Sequence, residues 1–312
     1  MRSIFDRARL LLTLASVFWA ANVVLARGLG PATPPVTLAF LRWGIATLIL
    51  FPLALPHLRK EAGMIAANWR LLLFLGITGP AFFNTVSYLG LVSTEAINGL
   101  VLNAAGPMFI GLAAWSIFGE RLEVSQFIGM ITGFVGVILI IAKGDLSSLQ
   151  ALRFNPGDLL FIAGTIAWAV YTAFLRKRPA ISWQSYNLVT YAVAAAANAP
   201  FVFVEYQLGH VMTVNSVTIT SVVFLAIFPS LLAYIFYNRA VEQLGPAAAG
   251  LYLFLIPIFG ALLAMLSLGE RPQPFHLIGF ALIIAGVVIG SRSGVKRLRV
   301  SGRADQIVTE GQ

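Results

Sequence analysis

The chain has 312 residues, of which 59% are hydrophobic and 11% are charged. An ordinary soluble domain carries about a quarter charged residues, so this composition excludes a soluble protein and indicates an integral membrane protein. The net charge of +9 is spread over the short segments between apolar windows, which excludes the concentrated basic domain of a nucleic-acid-binding protein.

Ten apolar windows follow one another along the chain, and each is long enough to cross a hydrocarbon core of about 30 Å as an α-helix. None alternates apolar and polar residues as the strands of a membrane barrel do. The sequence therefore predicts an all-α integral membrane protein with ten transmembrane helices. In chain order the windows cover residues 10–26, 36–55, 71–92, 96–118, 124–142, 159–175, 183–204, 217–241, 247–268 and 275–291.

The Lys and Arg residues indicate the orientation, because cytoplasmic connections retain positive charge. Most of the 21 Lys and Arg residues lie in the alternate connections that share a side with the N-terminus. Both termini are therefore predicted to be cytoplasmic. Residues 1–9 form a short N-terminal cytoplasmic segment, and we expect the polar and basic residues 292–312 to form a disordered cytoplasmic tail.

An internal repeat covers most of the chain, because residues 71–142 return in closely similar form about 150 positions later. Such self-similarity predicts two structurally equivalent halves. We place the first five-helix half at residues 10–142, a linker at 143–158 and the second five-helix half at 159–291. Matching residues include Trp19 with Trp168, Pro107 with Pro257, and Glu120 with Glu270.

Each half contains an odd number of helices, so the second half must enter the membrane from the side opposite to the first. This arrangement is an inverted repeat about an axis in the membrane plane. Inverted repeats are typical of transporters, because two equivalent halves can exchange inward-open and outward-open shapes around one central site.

Proline and glycine residues inside the windows predict kinks and close helix packing. Pro107 and Pro257 occupy matching positions, where each removes a backbone hydrogen bond, and we assign them a structural or gating role. Glycines four residues apart in the fifth and tenth windows permit two helices to approach closely, and we expect this packing to occur within the monomer. These glycines are Gly129 with Gly133, and Gly286 with Gly290.

Three local patterns stand out within this ten-helix arrangement. They are LVSTEA at residues 91–96, Gly119-Glu120-Arg121 with its second copy at 269–271, and Phe40-Leu41-Arg42 in the second window. Together they resemble the EamA-type branch of the drug/metabolite transporter superfamily, and within it the YddG branch of bacterial aromatic amino acid exporters. The resemblance implies a ten-helix monomer in the bacterial inner membrane, with a central and largely apolar cavity through which cargo leaves the cytoplasm.

The candidate substrate-binding residues are polar and aromatic side chains inside the windows. A cavity for an amphipathic metabolite needs apolar walls and a few polar groups that hold the polar end of the cargo. Such residues can instead bond a neighbouring helix or lie in the interfacial aromatic belt, and both alternatives stay open. The residues assigned to the cavity are Trp19, Asn22, Asn84, Tyr88, Asn98, Asn103, Trp168, Tyr171, Tyr234, Asn238 and Tyr252.

Three charged residues receive structural or gating assignments. Arg42 lies inside the second window, where it either holds a substrate carboxylate or reaches the outer interface with its long side chain, and we favour a structural role. Glu120 and Glu270 follow the glycines that end their helices. We expect each to form an ion pair or a helix-end hydrogen bond at the level of the loops.

Enzyme chemistry is not expected from this sequence. The chain has no cysteine and three scattered histidines, so we predict neither a metal site nor a cofactor. All twelve acidic residues lie at window ends, in loops or in the tails. The absence of a titratable group at membrane depth predicts facilitated export without obligatory proton coupling.

Other cargoes remain open on the same scaffold. The favoured cargo is an amino acid with an aromatic or other apolar side chain, and the expected partners are this small molecule and the lipid bilayer. The alternatives are a nucleoside, a vitamin or a cationic drug, or a lipid or polyprenyl substrate carried by a flippase.

Overall fold

The computed structural model describes residues 4–29, 33–93, 96–151, 155–268 and 273–292. The regular structure within these ranges is helical, and the helices group into ten segments, which confirms the predicted all-α membrane fold. Seven helices in this part of the chain are long and apolar enough to cross a membrane, and two further apolar helices are shorter.

The first half contains helices α1 to α5. A 3₁₀ turn at Ile4–Asp6 precedes α1. The bounds are α1 Ala8–Leu29; α2 Pro35–Ala67; α3, which consists of Trp69–Gly76, a π-helix at Ile77–Phe83 and Asn84–Ser93; α4, which consists of Ala96–Ala104 and Gly106–Phe118; and α5 Val124–Ile141.

The second half contains helices α6 to α10 and follows a 3₁₀ turn at Leu146–Ala151. The bounds are α6 Pro156–Phe174, continued by a 3₁₀ turn at Leu175–Lys177; α7 Trp183–Gln207; α8, which consists of Ser216–Leu225, a π-helix at Ala226–Leu232 and Ala233–Leu244; α9, which consists of Pro246–Gly250, a 3₁₀ turn at Leu251–Phe254 and Leu255–Leu268; and α10 Pro274–Gly290.

Helix α2 is longer than its hydrophobic window. The window covers residues 36–55, whereas the helix runs over 33 residues from Pro35 to Ala67. The additional residues include charged side chains and therefore fail a hydropathy criterion, but Ala, Leu, Glu, Lys and Arg are all good helix formers. The helix consequently continues past the hydrophobic layer and carries Glu61 beyond it.

Glycines end two of the helices. Helix α4 stops at Gly119, whose φ of 66° is left-handed, and the Gly119 amide donates to the Trp115 carbonyl. Helix α8 stops at Gly245 with a φ of 84°, directly before Pro246 opens α9. A residue without a Cβ adopts this conformation at little cost, which explains Gly119 in the first copy of the Gly-Glu-Arg motif.

The helix contacts obey the symmetry that two equivalent halves require. Helix α1 packs against α8 and α9, and correspondingly α6 packs against α3 and α4. Helices α2 and α7 pack against each other, as do α5 and α10. Adding or subtracting five from the helix number therefore exchanges the α1 contacts with the α6 contacts, and maps α2–α7 and α5–α10 each onto itself.

Glycine backbones of α5 and α10 come close together at the α5–α10 interface. A Cβ placed on Gly129 would lie 2.5 Å from the Gly286 carbonyl oxygen, and one placed on Gly286 would lie 2.6 Å from the Gly129 carbonyl oxygen. The glycine spacing found in the sequence thus packs α5 against α10 within one chain.

Candidate functional site

The centre of the bundle is built on two tryptophans from matching positions. Trp19 of α1 and Trp168 of α6 meet edge to face, with ring centroids 5.5 Å apart and an interplanar angle of 88°. Edge-to-face contacts of this kind are favourable because the positive edge of one ring meets the negative face of the other. The two halves therefore touch through equivalent aromatic residues.

Further aromatic rings surround this pair. Tyr234 and Tyr237 of α8 each contact both tryptophans, at centroid distances between 5.1 and 5.8 Å. On the side of α2 and α7, Trp43 packs against Tyr191 at 5.1 Å and against Tyr234 at 4.9 Å. We call the following residues the central aromatic cluster: Trp19, Trp43, Trp168, Tyr171, Tyr191, Tyr234 and Tyr237.

A network of amides and tyrosine hydroxyls crosses the central aromatic cluster. Tyr171 donates its hydroxyl to Asn238 Oδ1 at 2.7 Å, and Asn238 Nδ2 donates to Asn187 Oδ1 at 3.1 Å. Tyr191 also donates to Asn187 Oδ1, at 3.2 Å. This network joins α6, α7 and α8 through side chains that are all buried.

A separate hydrogen bond joins the two halves directly. Asn84 of α3 donates from Nδ2 to the Tyr234 hydroxyl at 2.8 Å, and these residues are 150 positions apart. The same Nδ2 donates to the Pro80 carbonyl at 3.0 Å. Both side chains are buried, so the bond lies inside the protein rather than at a lipid-facing surface.

Two π-helices lie beside the central aromatic cluster at matching places in α3 and α8. Each contains a proline at its fourth residue, Pro80 in Ile77–Phe83 and Pro229 in Ala226–Leu232. Proline lacks an amide hydrogen and disturbs the normal helical bonding, and π-helical turns often occur at functional sites.

The π-helix in α8 receives side-chain hydrogen bonds from three other helices. Trp19 Nε1 donates to the Pro229 carbonyl at 3.1 Å, and the Tyr191 hydroxyl donates to the Leu231 carbonyl at 3.1 Å. Between them, Arg42 Nε donates to Ser230 Oγ at 3.0 Å. Backbone groups released by the π-helical turn thus bind side chains from α1 and α7.

Arg42 does not extend to the outer interface. Its exposed fraction is 1%, and its Nε–H bond to Ser230 directs the guanidinium toward α8. From the sequence, the Arg42 side chain could either bind a substrate carboxylate or reach the outer interface. The structure places it inside the bundle.

The matching π-helix in α3 instead makes room for an aromatic ring. A Cβ placed on Gly79 would lie 2.5 Å from Tyr171 Cδ2, so the ring lies directly on the glycine backbone. Tyr171 can therefore reach Asn238 only because position 79 has no side chain.

Ion pairs connect the helices at the bundle end that carries the N-terminus. Glu120, after α4, binds Arg176, at the end of α6, at 2.6 Å. The expected loop-level ion pair of Glu120 is therefore made with the other half of the protein. Further pairs at this end join Arg178 to Glu242 at 3.4 Å, Arg239 to Glu242 at 3.0 Å and Arg239 to Asp6 at 4.0 Å.

Near the opposite end, an aromatic ring of α6 packs against α3 and α4. Phe161 of α6 is buried and lies against two glycines, one in α3 and one in α4. A Cβ placed on Gly90 would lie 2.7 Å from the Phe161 ring, and one placed on Gly99 would lie 3.1 Å from it. Helix α6 thus contacts α4 near both ends of the bundle, through the Glu120–Arg176 pair at one end and through Phe161 at the other.

The remaining sequence-predicted residues lie at different places. Asn22 is half-buried on α1, Asn103 is exposed on α4, and Tyr252 is buried in the 3₁₀ turn of α9. Pro107 opens the second part of α4, whereas Pro257 lies in the first turn of Leu255–Leu268. The side chains of Tyr88 and Asn98, and the whole of Glu270, lie outside the described part of the structure.

Several members of the site were not selected from the sequence. Trp43, Tyr191 and Tyr237 belong to the central aromatic cluster, and Asn187 and Ser230 supply its hydrogen bonds. Each of these residues lies inside an apolar window. A polar side chain in an apolar window is unusual, and this could have identified the polar residues among them. Which face of a membrane helix points inward is not encoded by hydropathy when both faces are apolar.

The expected cavity is filled in this conformation by the rings of the central aromatic cluster. Tyr171, Tyr191 and Tyr237 are fully buried, and Trp168 is 4% exposed. Trp19 is half-buried. Cargo can therefore reach the buried rings of the cluster only after the helices around them separate.

A family model and individual relatives match this chain over most of its length. The model of the EamA-like transporter family matches residues 7–142 and 155–292. The uncharacterized transporter YyaM of Bacillus subtilis is 25% identical over 91% of this chain and 92% of its own length, and an uncharacterized transporter of Archaeoglobus fulgidus is 28% identical over 91% and 97%.

Two further matches concern function and fold. A probable terminal-alkyne amino-acid exporter of Streptantibioticus cattleyicolor is 25% identical over 92% of this chain and 94% of its own length. A solved crystal structure superposes with a TM-score of 0.77 at 20% identity, covering 93% of this chain and 98% of that chain, which shows the same fold.

Proposed function

The chain belongs to the EamA-like transporter family, and we propose that it exports amino acids, preferring those with aromatic or other apolar side chains. Export runs from the cytoplasm across a bacterial inner membrane, and one chain is sufficient. The observation that carries this proposal is the contact of Trp19 with Trp168 at the centre of two equivalent halves.

The chemistry of the central aromatic cluster fits an amphipathic amino acid. Apolar rings can receive an aromatic or aliphatic side chain, and a few fixed polar groups can orient the opposite end. The amide of Asn84 and the hydroxyl of Tyr234 lie at the edge of the rings, and Tyr171 with Asn238 forms a second polar pair. The similarity to a probable terminal-alkyne amino-acid exporter supports the same class of cargo.

Movement of the halves would expose the central aromatic cluster to the two sides in turn. The Glu120–Arg176 pair closes the cytoplasmic end between α4 and α6, and Phe161 closes the opposite end between α3, α4 and α6. Opening one closure while the other stays shut gives alternating access, for which inverted repeats are suited.

Proton coupling is not part of the proposal, because the buried carboxylates of the described residues have structural partners. Asp158 accepts the Asn155 amide at the start of α6, and Glu205 accepts the amides of Val36 and Thr37 at the start of α2. Both carboxylates therefore stabilise helix N-termini. We propose facilitated export down the gradient of the cargo.

The proposal is tested by release of preloaded solutes from liposomes that contain the purified protein. The mixture holds phenylalanine, leucine, a nucleoside and an organic cation, and protein-free liposomes serve as the control. We expect phenylalanine to leave fastest, and an imposed pH gradient to drive no accumulation against a phenylalanine gradient. Equal release of the amino acids from both kinds of liposome would contradict the proposed cargo. Accumulation of phenylalanine against its gradient would contradict uncoupled transport.

A further inference from the structure

Two glutamates join α2 and α7 at opposite ends of the bundle. Glu205, near the end of α7, accepts hydrogen bonds at the start of α2: Oε1 from the Val36 amide at 2.8 Å, and Oε2 from the amide and hydroxyl of Thr37, both at 2.8 Å. Its exposed fraction is only 7%. We call this set of bonds the outer clasp.

The same arrangement occurs in the reverse direction at the other end. Glu61, in the extension of α2, accepts the Ser182 amide at 2.8 Å with Oε1 and the Ser182 hydroxyl at 3.0 Å with Oε2. Ser182 is the N-cap residue of α7. We call these bonds the inner clasp, and each helix thus supplies the carboxylate that binds the first residues of its partner.

Both clasps bind groups that a helix cannot satisfy by itself. The first amides of an α-helix have no carbonyl partner within the helix, and the helix dipole places partial positive charge there. Carboxylates form shorter and stronger hydrogen bonds to such donors than neutral acceptors do. The α2–α7 pair is consequently held at both ends in addition to packing along its length.

The α2–α7 pair also holds part of the candidate site. Arg42 of α2 binds Ser230, and Tyr191 of α7 binds Leu231, so both helices bind the π-helix of α8. Trp43 and Tyr191 face each other across the pair inside the central aromatic cluster. A change in the distance between α2 and α7 would therefore move the cargo-binding rings.

We propose that Glu61 and Glu205 are positioning residues that keep α2 and α7 together throughout transport, so that the remaining cavity-lining helices move relative to this pair. Both clasps stay closed while the Glu120–Arg176 contact opens and closes. The inference rests on the alternating movement proposed above, and it adds that α2 and α7 stay together and which residues hold them.

Cysteine cross-linking tests this directly, because the native chain contains no cysteine. Thr37→Cys with Glu205→Cys replaces the outer clasp, and Glu61→Cys with Ser182→Cys replaces the inner clasp. The matched control is Glu120→Cys with Arg176→Cys, across the contact that must open. Each pair of cysteines is joined by a short cross-linker that a reductant cleaves. Release of phenylalanine from liposomes is measured before and after cross-linking.

We expect bridging of either clasp to leave phenylalanine release within about twofold of the reduced protein, because no separation of α2 from α7 is needed. Bridging the control pair should slow release by about tenfold or more, since it locks a gating contact, and the reductant should restore it. Reversible loss of transport on bridging either clasp would overturn the proposal.

Hydrogen exchange gives a second test that needs no known cargo. Because the proposed uncoupled export requires the empty protein to return to its inward-open shape, exchange without cargo reports whether the clasps open. We expect the amides of Val36, Thr37 and Ser182 to exchange as slowly as the interior of α2, and the Val36 and Thr37 amides to exchange faster in Glu205→Gln. If these amides exchanged in the wild type as fast as frayed helix ends, the proposal would be overturned. Failure of phenylalanine release alone would contradict only the proposed cargo.

Discussion

The bond between Asn84 and Tyr234 is the smallest feature that connects the two halves. The residues occupy matching places in α3 and α8 and meet at 2.8 Å in a buried environment. Hydrogen bonds between membrane helices are worth about 0.6 to 1.7 kcal/mol, because the alternative partners inside a bilayer are few but not absent. The bond is therefore strong enough to measure by mutation.

A double-mutant cycle with Asn84→Leu and Tyr234→Phe tests this bond. We expect the free energies of unfolding in detergent to be non-additive by about 0.6 to 1.7 kcal/mol, since each single change already removes the bond. Asn68→Leu serves as the control in combination with Tyr234→Phe, because Asn68 bonds the Met64 carbonyl at an exposed helix end. Additivity in both cycles would contradict the bond.

At the residue scale the sequence predicted part of the site. The repeat matched Trp19 with Trp168, and their contact follows from placing matched residues near a symmetry axis. Trp43 was not predicted, because a tryptophan in an apolar window is equally suited to the lipid interface. The inward direction of its side chain depends on how α2 packs on α7, which no local pattern specifies.

At the scale of helices, glycines allow α5 and α10 to approach each other closely. The α5–α10 interface brings the Gly129 and Gly286 backbones together so closely that a methyl group on either would collide with the other helix. At Gly260 of α9, by contrast, no atom lies within 4 Å of the place that a Cβ would occupy. Substitution by alanine is therefore expected to have different effects on stability at Gly286 and at Gly260.

Gly286→Ala should lower the free energy of unfolding by about 1 to 3 kcal/mol, the usual cost of overpacking a tight contact. Gly260→Ala, the matched control, should leave stability unchanged or raise it by up to about 1 kcal/mol, because alanine favours the helix. Thermal unfolding in detergent measures both variants. An equal effect of the two substitutions would contradict the close α5–α10 contact.

The helices themselves were predictable to different extents. Ten apolar windows gave ten helices, because hydrophobic length is a local property. The extension of α2 was not predicted, since its charged residues reduce hydropathy without breaking the helix. The clasps were also missed: Glu205 and Val36 are separated by 169 positions, and only the packed α2–α7 pair brings them together.

At the scale of the whole molecule, the described residues show a transporter whose centre is closed by the rings of the central aromatic cluster. Ion pairs join the helices at the N-terminal end, and Phe161 packs against glycines at the other. The internal repeat predicted two equivalent halves, and the symmetric helix contacts agree with it. The closed centre could not be predicted, because the repeat is compatible with every conformation of an alternating cycle.

Efflux of phenylalanine from liposomes by two tryptophan variants tests most directly whether the central aromatic cluster carries the cargo. Trp168 lies in that cluster, whereas Trp115 of α4 is 55% exposed and serves as the matched control. Removing a buried aromatic contact typically costs about 2 kcal/mol or more in binding. We expect Trp168→Ala to slow efflux per folded molecule by about tenfold or more and Trp115→Ala to change it by less than about twofold. Equal efflux by both variants would show that cargo does not pass through the central aromatic cluster.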